Sequence, residues 1–236
     1  MTTDQTWAVV PAAGVGSRMG GEAGDPAKQF RELDGAPVLV HTLRALASAL
    51  GVTGLVVVVG EEEVEPVRQL LSQDAPLADA LKAVVAGGAT RQASVARGVA
   101  HVPDEVGIVL VHDAVRPFVR AEDIEAVIQA VRASGAAALA VPVADTLRRG
   151  ASGRFEATVD REGLWRMQTP QGSRREVLAD ALARAEREGW TATDEVGVLQ
   201  RTGAAVALVE GDERNIKLTR PSDWLLARAL WAHREM

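Results

Sequence analysis

Near its N-terminus the chain reads Trp7-Ala8-Val9-Val10-Pro11-Ala12-Ala13-Gly14-Val15-Gly16-Ser17-Arg18-Met19-Gly20. The apolar run at the start of this stretch predicts a first β-strand. A strand that leads directly into a glycine-rich turn presents successive backbone N–H groups to one concave surface, which suits an anion. Glycine at positions 14 and 16 lets the backbone turn tightly and approach a phosphate closely. The stretch therefore predicts a phosphate-binding turn at the end of the first strand.

Two basic residues accompany this turn. Arg18 carries a planar fork of donors that matches phosphate oxygens, and Lys28 follows as a compact point charge. The glycine spacing fits neither the P-loop pattern nor the dinucleotide-binding fingerprint. A turn that merely connects a strand to a helix is the alternative. The two cations beside the glycines favour a site for a triphosphate.

The composition limits the possible classes of function. The chain has 236 residues, of which 47% are hydrophobic, so it can bury a sizeable core. A net charge of −6 argues against general nucleic-acid binding, which requires a basic surface. The absence of cysteine excludes disulfides and thiolate chemistry. No apolar run has membrane-spanning length and no signal pattern is present, so we expect a soluble, cytoplasmic protein without a membrane partner.

The rest of the chain alternates between patterns of strands and helices. Further strands are predicted at residues 54–60, 84–86, 106–112, 137–143 and 205–210. Helices are predicted at residues 37–50, 61–72, 90–102, 121–134, 174–188, 194–202 and 222–233. This alternation predicts an α/β fold with a doubly wound, mostly parallel sheet. Gly14, Gly88 and Asp113 all follow predicted strands, so we expect a ligand at the carboxyl edge of the sheet.

The alternation is interrupted at residues 144–167. This segment is polar and predicts two or three short strands, at 145–149, 155–161 and 164–167. An isolated hairpin is marginally stable, so we expect the segment to pack against a second subunit. The chain is accordingly predicted to be a single domain, 1–236, with a β-arm inserted at 144–167.

Two further junctions carry polar residues. At residues 87–94, paired glycines precede Thr90 and Ser94, which predicts either a simple turn with Thr90 as helix N-cap or a pocket that reads the edge of a base. After the strand at 106–112, Asp113 either pairs with Arg116 or holds Mg²⁺ or a ligand hydroxyl. His112 is predicted to support this junction rather than to act as a catalyst.

Polar groups late in the chain are weaker signals. The segments 168–171 and 193–195 place hydroxyl groups at predicted loop positions, although Thr193 or Asp194 could serve only as a helix cap. Lys217 follows the last strand, and it is one of three lysines in a chain that favours arginine: Lys28, Lys82 and Lys217. The four histidines show no metal-ligand spacing.

Taken together, these motifs resemble those of the 2-C-methyl-D-erythritol 4-phosphate cytidylyltransferases of the non-mevalonate isoprenoid pathway. The matching motifs occur in family order from end to end of the chain. They are Pro11-Ala12-Ala13-Gly14-x-Gly16-x-Arg18-Met19, Lys28-Gln29, Gly87-Gly88-x-x-Arg91-x-x-Ser94-Val95, His112-Asp113-Ala114-x-Arg116-Pro117, Asp145-Thr146, Arg161, Gln168-Thr169-Pro170-Gln171, Thr193-Asp194-Glu195 and Asn215-Ile216-Lys217. Ala89 departs from the family, in which an acidic or polar residue is common.

The resemblance implies a Rossmann-like nucleotidyltransferase fold and the transfer of CMP from CTP to 2-C-methyl-D-erythritol 4-phosphate, with Mg²⁺ as cofactor. It implies that Arg18 and Lys28 stabilise the transition state. The implied CTP-binding residues are Pro11, Ala12, Ala13, Gly14, Gly16, Gly88, Ser94 and Asp113, and Asp113 is also the candidate metal ligand. The implied acceptor-binding residues, near which Asp113 also falls, are Arg116, Thr146, Arg161, Thr169, Thr193 and Lys217.

The resemblance also implies a homodimer whose β-arms are exchanged, so that Arg161 reaches the partner's site. Two alternatives remain at this point. A ribitol-5-phosphate cytidylyltransferase would use the same CTP machinery on another polyol phosphate. A non-catalytic nucleotide-binding regulator would have no need of Arg18, Lys28 and Lys217.

Overall fold

The computed structural model describes residues 3–14 and 26–233. The strands are β1 (Thr3–Pro11), β2 (Glu32–Leu33), β3 (Ala36–Pro37), β4 (Val52–Val59), β5 (Leu81–Ala86), β6 (Val106–Val111), β7 (Ala136–Pro142), β8 (Leu147–Ala151), β9 (Arg154–Val159), β10 (Trp165–Arg174) and β11 (Ala207–Glu210). The α-helices are α1 (Val38–Ser48), α2 (Val64–Ser72), α3 (Ala75–Ala78), α4 (Arg91–Ala100), α5 (Ala121–Ser134), α6 (Arg175–Arg187), α7 (Glu195–Arg201) and α8 (Pro221–Ala232). Single 3₁₀ turns lie at Lys28–Phe30 and Glu61–Glu63.

Seven of these strands form the central sheet, in the order β11-β7-β10-β6-β1-β4-β5. All neighbouring strands are parallel except at β10, which is antiparallel to both β6 and β7. The predicted α/β fold with a mostly parallel sheet is therefore confirmed. The carboxyl ends of β1, β4, β5 and β6 meet at one edge of the sheet, as expected for parallel strands.

Both faces of the sheet are covered by helices. In β4, alternate residues contribute to separate cores: Leu55 and Val57 pack with α1, α2 and α5, whereas Val56 and Val58 pack with α4, α6 and α7. All four of these side chains are fully buried. The continuous apolar run of β4, predicted as a strand buried on both faces, follows from this two-sided packing. Helix α5 covers the predicted range without change.

Strand β10 corrects the sequence-based prediction. The segment 164–167 was predicted as a short strand of the arm, and 168–171 as a loop, yet Trp165–Arg174 is one strand within the central sheet. Its middle is polar and buried: Gln168 donates to the carbonyl of Asp212, and Gln171 donates to Asp194. Because these buried polar groups find partners, the strand needs no apolar pattern.

A two-stranded antiparallel hairpin, β8 with β9, lies outside the central sheet. Its residues are exposed almost throughout, including Phe155, whose relative exposure is 83%. Within residues 3–14 and 26–233, no helix is long and apolar enough to span a membrane.

Candidate active site

A cleft of about 410 Å³ opens at the carboxyl edge of the sheet. It is lined by residues that follow β1, β5 and β6, together with the 3₁₀ turn and the segment before α8. These residues are Pro11, Ala12, Ala13, Gly14, Lys28, Gln29, Gly88, Ala89, Thr90, Arg91, Ser94, Asp113, Ala114, Val115 and Lys217. The cleft therefore unites five motifs that are far apart in the sequence.

One side of the cleft is built from backbone, and we call residues 12–14 with Gly87 and Gly88 the glycine wall. A Cβ at Gly87 would lie 2.6 Å from the Cβ of Ala13 and 2.8 Å from the Oγ of Ser94. A Cβ at Gly88 would lie 2.6 Å from the Cβ of Ala93. A larger residue at position 87 would therefore push this loop away from Ala13, and one at position 88 would push it away from the start of α4, which explains the paired glycines.

The loop after β5 is fixed by two hydroxyl groups. Thr90 is the N-cap of α4, and its side chain accepts a hydrogen bond from the N–H of Ala93. A helix cap at Thr90 was one of the two alternatives predicted for this junction. The Oγ of Ser94 lies 3.1 Å from the N of Gly88 and 3.0 Å from the carbonyl oxygen of Thr90. Ser94 thus holds the backbone of Gly88 in place beside the cleft.

Another part of the cleft consists of charges, and we call Arg91, Asp113 and Lys217, with Arg116 behind them, the charged wall. The carboxylate of Asp113 lies 2.8 Å from the Nζ of Lys217, 3.3 Å from an Nη of Arg91 and 3.5 Å from the Nε of Arg116. Burial alone would raise the pKa of Asp113. The three cations outweigh burial and hold that pKa well below its usual range.

Arg91 connects this wall to α7. Its guanidinium lies 2.7 Å and 3.0 Å from the two carboxylate oxygens of Glu195, the first residue of that helix. Burial raises the pKa of Glu195, and Arg91 opposes that rise. Three cations against two carboxylates leave one net positive charge beside the cleft, which favours an anionic ligand.

His112 and Thr169 support the charged wall through hydrogen bonds around Asp113. The hydroxyl of Thr169 accepts a hydrogen bond from the N–H of Asp113 and lies 3.1 Å from the Nδ1 of His112. The Nε2 of His112 lies 3.1 Å from the carbonyl oxygen of Arg116. Burial lowers the pKa of His112 to about 4, so the ring is neutral at pH 7. Both ring nitrogens are engaged, in agreement with a supporting role for His112.

The structure brings together most, but not all, of the predicted site residues. Those at the cleft are Pro11, Ala12, Ala13, Gly14, Lys28, Gly88, Ser94, Asp113 and Lys217. Arg116 and Thr169 lie buried behind Asp113. The described lining lacks Thr146, Arg161 and Thr193, all of which are exposed. Gly16 and Arg18 lie outside the described residues.

These positions correct one prediction and bear out one alternative in each of two others. Thr169 lies on a strand rather than a loop, and its hydroxyl is used by Asp113 and His112. Asp194, and not Thr193, caps α7, because its carboxylate accepts from the N–H of Gly197. Asp113 pairs with Arg116, as one of the alternatives required, but also with two further cations.

Sequence reasoning overlooked Arg91 and Glu195 as members of the site. Both stand in motifs that were recognised, yet their ion pair joins residues 104 positions apart. An acidic residue in the first turn of a helix is ordinary, so nothing in the local pattern marks Glu195. Asn215 was also overlooked: its carbonyl accepts from Arg116, and its amide donates to the carbonyl of Thr169.

The described side chains do not fit a metal held by the protein alone. No three acidic or histidine side chains converge anywhere within residues 3–14 and 26–233. Asp113, the predicted metal ligand, already faces three cations, which would repel a divalent ion.

A doubly wound sheet whose glycine-lined cleft carries excess positive charge defines the class as an α/β protein that binds a phosphorylated ligand at the carboxyl edge of its sheet. A sequence profile described as 2-C-methyl-D-erythritol 4-phosphate cytidylyltransferase matches residues 6–233. A protein with that name from Salinibacter ruber is 51% identical to the chain, over 94% of this chain and 91% of that protein. One from Bacillus velezensis is 43% identical, over 94% of each chain.

Solved structures agree with this assignment. The 2-C-methyl-D-erythritol 4-phosphate cytidylyltransferase of Thermus thermophilus is 34% identical, with a TM-score of 0.80 over 95% of this chain and 98% of that one. A synthase from Anaerococcus prevotii superposes with a TM-score of 0.82 at 22% identity, which bears on the fold alone. The chain belongs to the 2-C-methyl-D-erythritol 4-phosphate cytidylyltransferase family.

Proposed function

We propose that the chain transfers CMP from CTP to 2-C-methyl-D-erythritol 4-phosphate. The products are 4-diphosphocytidyl-2-C-methyl-D-erythritol and pyrophosphate, and the reaction supplies isoprenoid precursors. A phosphate oxygen of the acceptor attacks the α-phosphorus of CTP, and the bond from that phosphorus to pyrophosphate breaks. Such a reaction asks the protein to position two anions and to neutralise charge.

One observation carries this proposal: Lys28 and Lys217 line the same cleft as the glycine wall. Two anionic substrates can thus meet between two cations in a space that the backbone shapes. Lys28, with Arg18, stabilises the charge that develops as pyrophosphate leaves. The glycine wall and Ser94 hold CTP, whereas Lys217 and the rest of the charged wall hold the acceptor.

The groups at the charged wall suit a reaction without a general base. The acceptor phosphate is already an anion at neutral pH and has no proton to lose before attack. His112 is buried and neutral with both nitrogens engaged, and the pKa of Asp113 is too low for proton abstraction. Their role is to orient the cations of the wall.

Mg²⁺ is the cofactor that we propose, bound by the phosphate oxygens of CTP rather than by Asp113. This placement follows from the three cations around Asp113. When bound, Mg²⁺ would neutralise phosphate charge. The cytoplasm is the location we propose for the reaction.

A pyrophosphate-release assay tests the function directly. The purified protein is incubated with CTP, Mg²⁺ and either 2-C-methyl-D-erythritol 4-phosphate or ribitol 5-phosphate. We expect rapid release with the first acceptor and little with the second. Release with ribitol 5-phosphate alone would overturn the choice of acceptor, and release with neither would overturn the enzymatic function.

We also propose that the chain is one domain and forms a homodimer by exchanging the β-arm. The β8–β9 hairpin is the part of this arm that lies outside the central sheet. Three observations support exchange. The hairpin pairs with no other described strand, Phe155 projects from it with 83% exposure, and Arg161 and Thr146 at its base do not line their own chain's cleft. In the dimer, Arg161 of one chain completes the acceptor site of its partner.

Mixed dimers test this exchange. Arg18→Ala and Arg161→Ala homodimers should each be nearly inactive. When the two are unfolded together and refolded at equal concentration, about half of the dimers are mixed, and about a quarter of all sites regain both arginines. If Arg161 acts within its own chain, every site keeps one defect and mixing restores no activity.

A further inference from the structure

Gln29 is a buried polar side chain whose bonds join two separate segments of the cleft. Its relative exposure is 2%. The Nε2 of Gln29 lies 2.6 Å from the carbonyl oxygen of Ala12 and 3.2 Å from that of Gly14. A primary amide carries two N–H donors, so one nitrogen can serve both carbonyls. The side-chain amide therefore donates its hydrogen bonds to the backbone of the glycine wall.

These two bonds connect the turn after β1 with the 3₁₀ turn at Lys28–Phe30. Because Gln29 is buried in that turn, its amide holds the backbone of Ala12 and Gly14 at a fixed distance from it.

The bonds also orient the backbone of the glycine wall. The N–H of Ala12 is already bound to the carbonyl of Val58, at 2.6 Å. In a trans peptide, the carbonyl of one residue and the N–H of the next point in opposite directions. With the carbonyl of Ala12 turned toward Gln29, the N–H of Ala13 points away from Gln29.

Lys28 is placed by the same residue. Lys28–Phe30 forms a single 3₁₀ turn in which Gln29 is buried and Phe30 packs against the core. Lys28, at the start of this turn, lines the cleft. A shift of Gln29 would move Lys28 and the glycine wall relative to each other, although neither would lose its own fold.

We infer that Gln29 is a positioning residue for CTP, an inference that rests on the proposed cytidylyl transfer. Its amide sets the distance between Lys28 and the N–H groups of the glycine wall, so that both meet the triphosphate together. Within residues 3–14 and 26–233, no hydrogen bond joins Gln29 to the charged wall, so acceptor binding depends on Gln29 far less than CTP binding does.

Two variants separate the donor function from simple packing. Gln29→Met retains the length of the side chain without donors, and Gln29→Glu replaces the donors with a carboxylate that would face two carbonyl oxygens. Each change leaves the buried carbonyl of Ala12 and the more exposed carbonyl of Gly14 without this partner. We expect the KM for CTP and the Kd of CTP by calorimetry to rise about tenfold or more in both variants. The KM for the acceptor should change by less than about threefold.

Gln200→Glu is the matched control, because Gln200 is exposed on α7 and lies outside the cleft. It should leave both KM values unchanged. Gln29→Asn retains the amide on a shorter chain and should recover part of the CTP affinity. Melting temperatures of all variants are measured in parallel, and Gln29→Met decides the matter if Gln29→Glu does not fold.

Unchanged CTP affinity in a folded Gln29→Met protein would overturn the inference. An equal rise in both KM values would also overturn it, since that would indicate a general structural role. An inactive wild-type protein would contradict the proposed function alone, because CTP affinity measured by calorimetry would still test Gln29.

Discussion

The two walls of the cleft are held by different forces. The glycine wall is backbone fixed by neutral hydrogen bonds with Gln29 and Ser94 and by close contacts around Gly87 and Gly88. The charged wall is a set of ion pairs in which Lys217, Arg91 and Arg116 share the carboxylate of Asp113. A ligand at the glycine wall meets backbone groups. An anion at the charged wall competes with Asp113 for its cations.

This difference indicates which changes would disrupt each wall. The glycine wall depends on shape, so it is sensitive to added volume or to lost donors and insensitive to pH. The charged wall depends on a balance of positive and negative side chains, so removal of a side chain of either sign leaves an uncompensated charge near the cleft. The predictions below use substitutions that affect one wall and spare the other.

The largest effect is expected from Lys28→Ala, which removes a cation next to the glycine wall. Loss of one preorganised charge-stabilising group lowers kcat by about 10²–10³. Arg18→Ala should have an effect of the same order. Steady-state kinetics and thermal melting are measured together, with the exposed Lys82→Ala as control. Normal turnover in folded Lys28→Ala protein would rule out the role given to Lys28.

A smaller but substantial effect is expected when Asp113→Asn removes the centre of the charged wall. Arg91, Arg116 and Lys217 would then repel one another without a shared partner. We expect the free energy of unfolding to fall by about 3 kcal/mol, at the lower end for a broken buried pair because Lys217 can reach solvent. Urea denaturation measures the loss, and Asp180→Asn on the exposed face of α6 serves as control. Equal stability of both variants would show that the ion pairs contribute nothing net.

Lys217→Ala should separate the two walls functionally. Loss of a hydrogen bond to a charged group costs about 1.5–3 kcal/mol, so the KM for the acceptor should rise about tenfold to a hundredfold. CTP affinity by calorimetry should change little, because the glycine wall stays intact. A large loss of CTP affinity with an unchanged acceptor KM would reverse the assignment of the walls.

The smallest effect concerns pH and His112. Its pKa is lowered from 6.5 to about 4 in the folded protein, so the unfolded chain binds more protons than the folded chain between those values. Stability is therefore lost as pH falls from 6.5 toward 4, at up to the order of 1 kcal/mol per pH unit. His112→Gln should make this slope shallower, as measured by urea denaturation at several pH values. Identical slopes in both proteins would contradict the buried, neutral state of the ring.

The sequence predicted those parts of the fold that depend on apolar patterns. The run Leu55–Val59 reads as a buried strand because both of its faces meet helices. Only the first residues of β10 were predicted as a strand, because its centre, Gln168 to Gln171, is polar and contains a proline. Its burial is stabilised by bonds to Asp212, Asp194 and Asn215, which lie more than 20 residues away in the chain.

The same distinction applies to the site. The convergence of Gly14, Gly88 and Asp113 was predicted because each follows a parallel strand, and such ends share one edge. The pairing of Arg91 with Glu195 was not predicted, because no local rule connects an arginine at the start of one helix to a glutamate of another. Thr169 was recognised as important, but its partners, Asp113 and His112, are visible only in three dimensions.

The position of β10 also has a consequence for the order in which the protein can be completed during synthesis. Strands β1, β4, β5 and β6 come from the first 111 residues and are mutual neighbours, so a nascent chain can pair them early. Asp113 is synthesised before its hydrogen-bond partner Thr169, and Lys217 emerges from the ribosome later still. The half of the cleft proposed for the nucleotide can thus form on the ribosome well before the half proposed for the acceptor. A chain interrupted between the two would lack the acceptor half of the cleft.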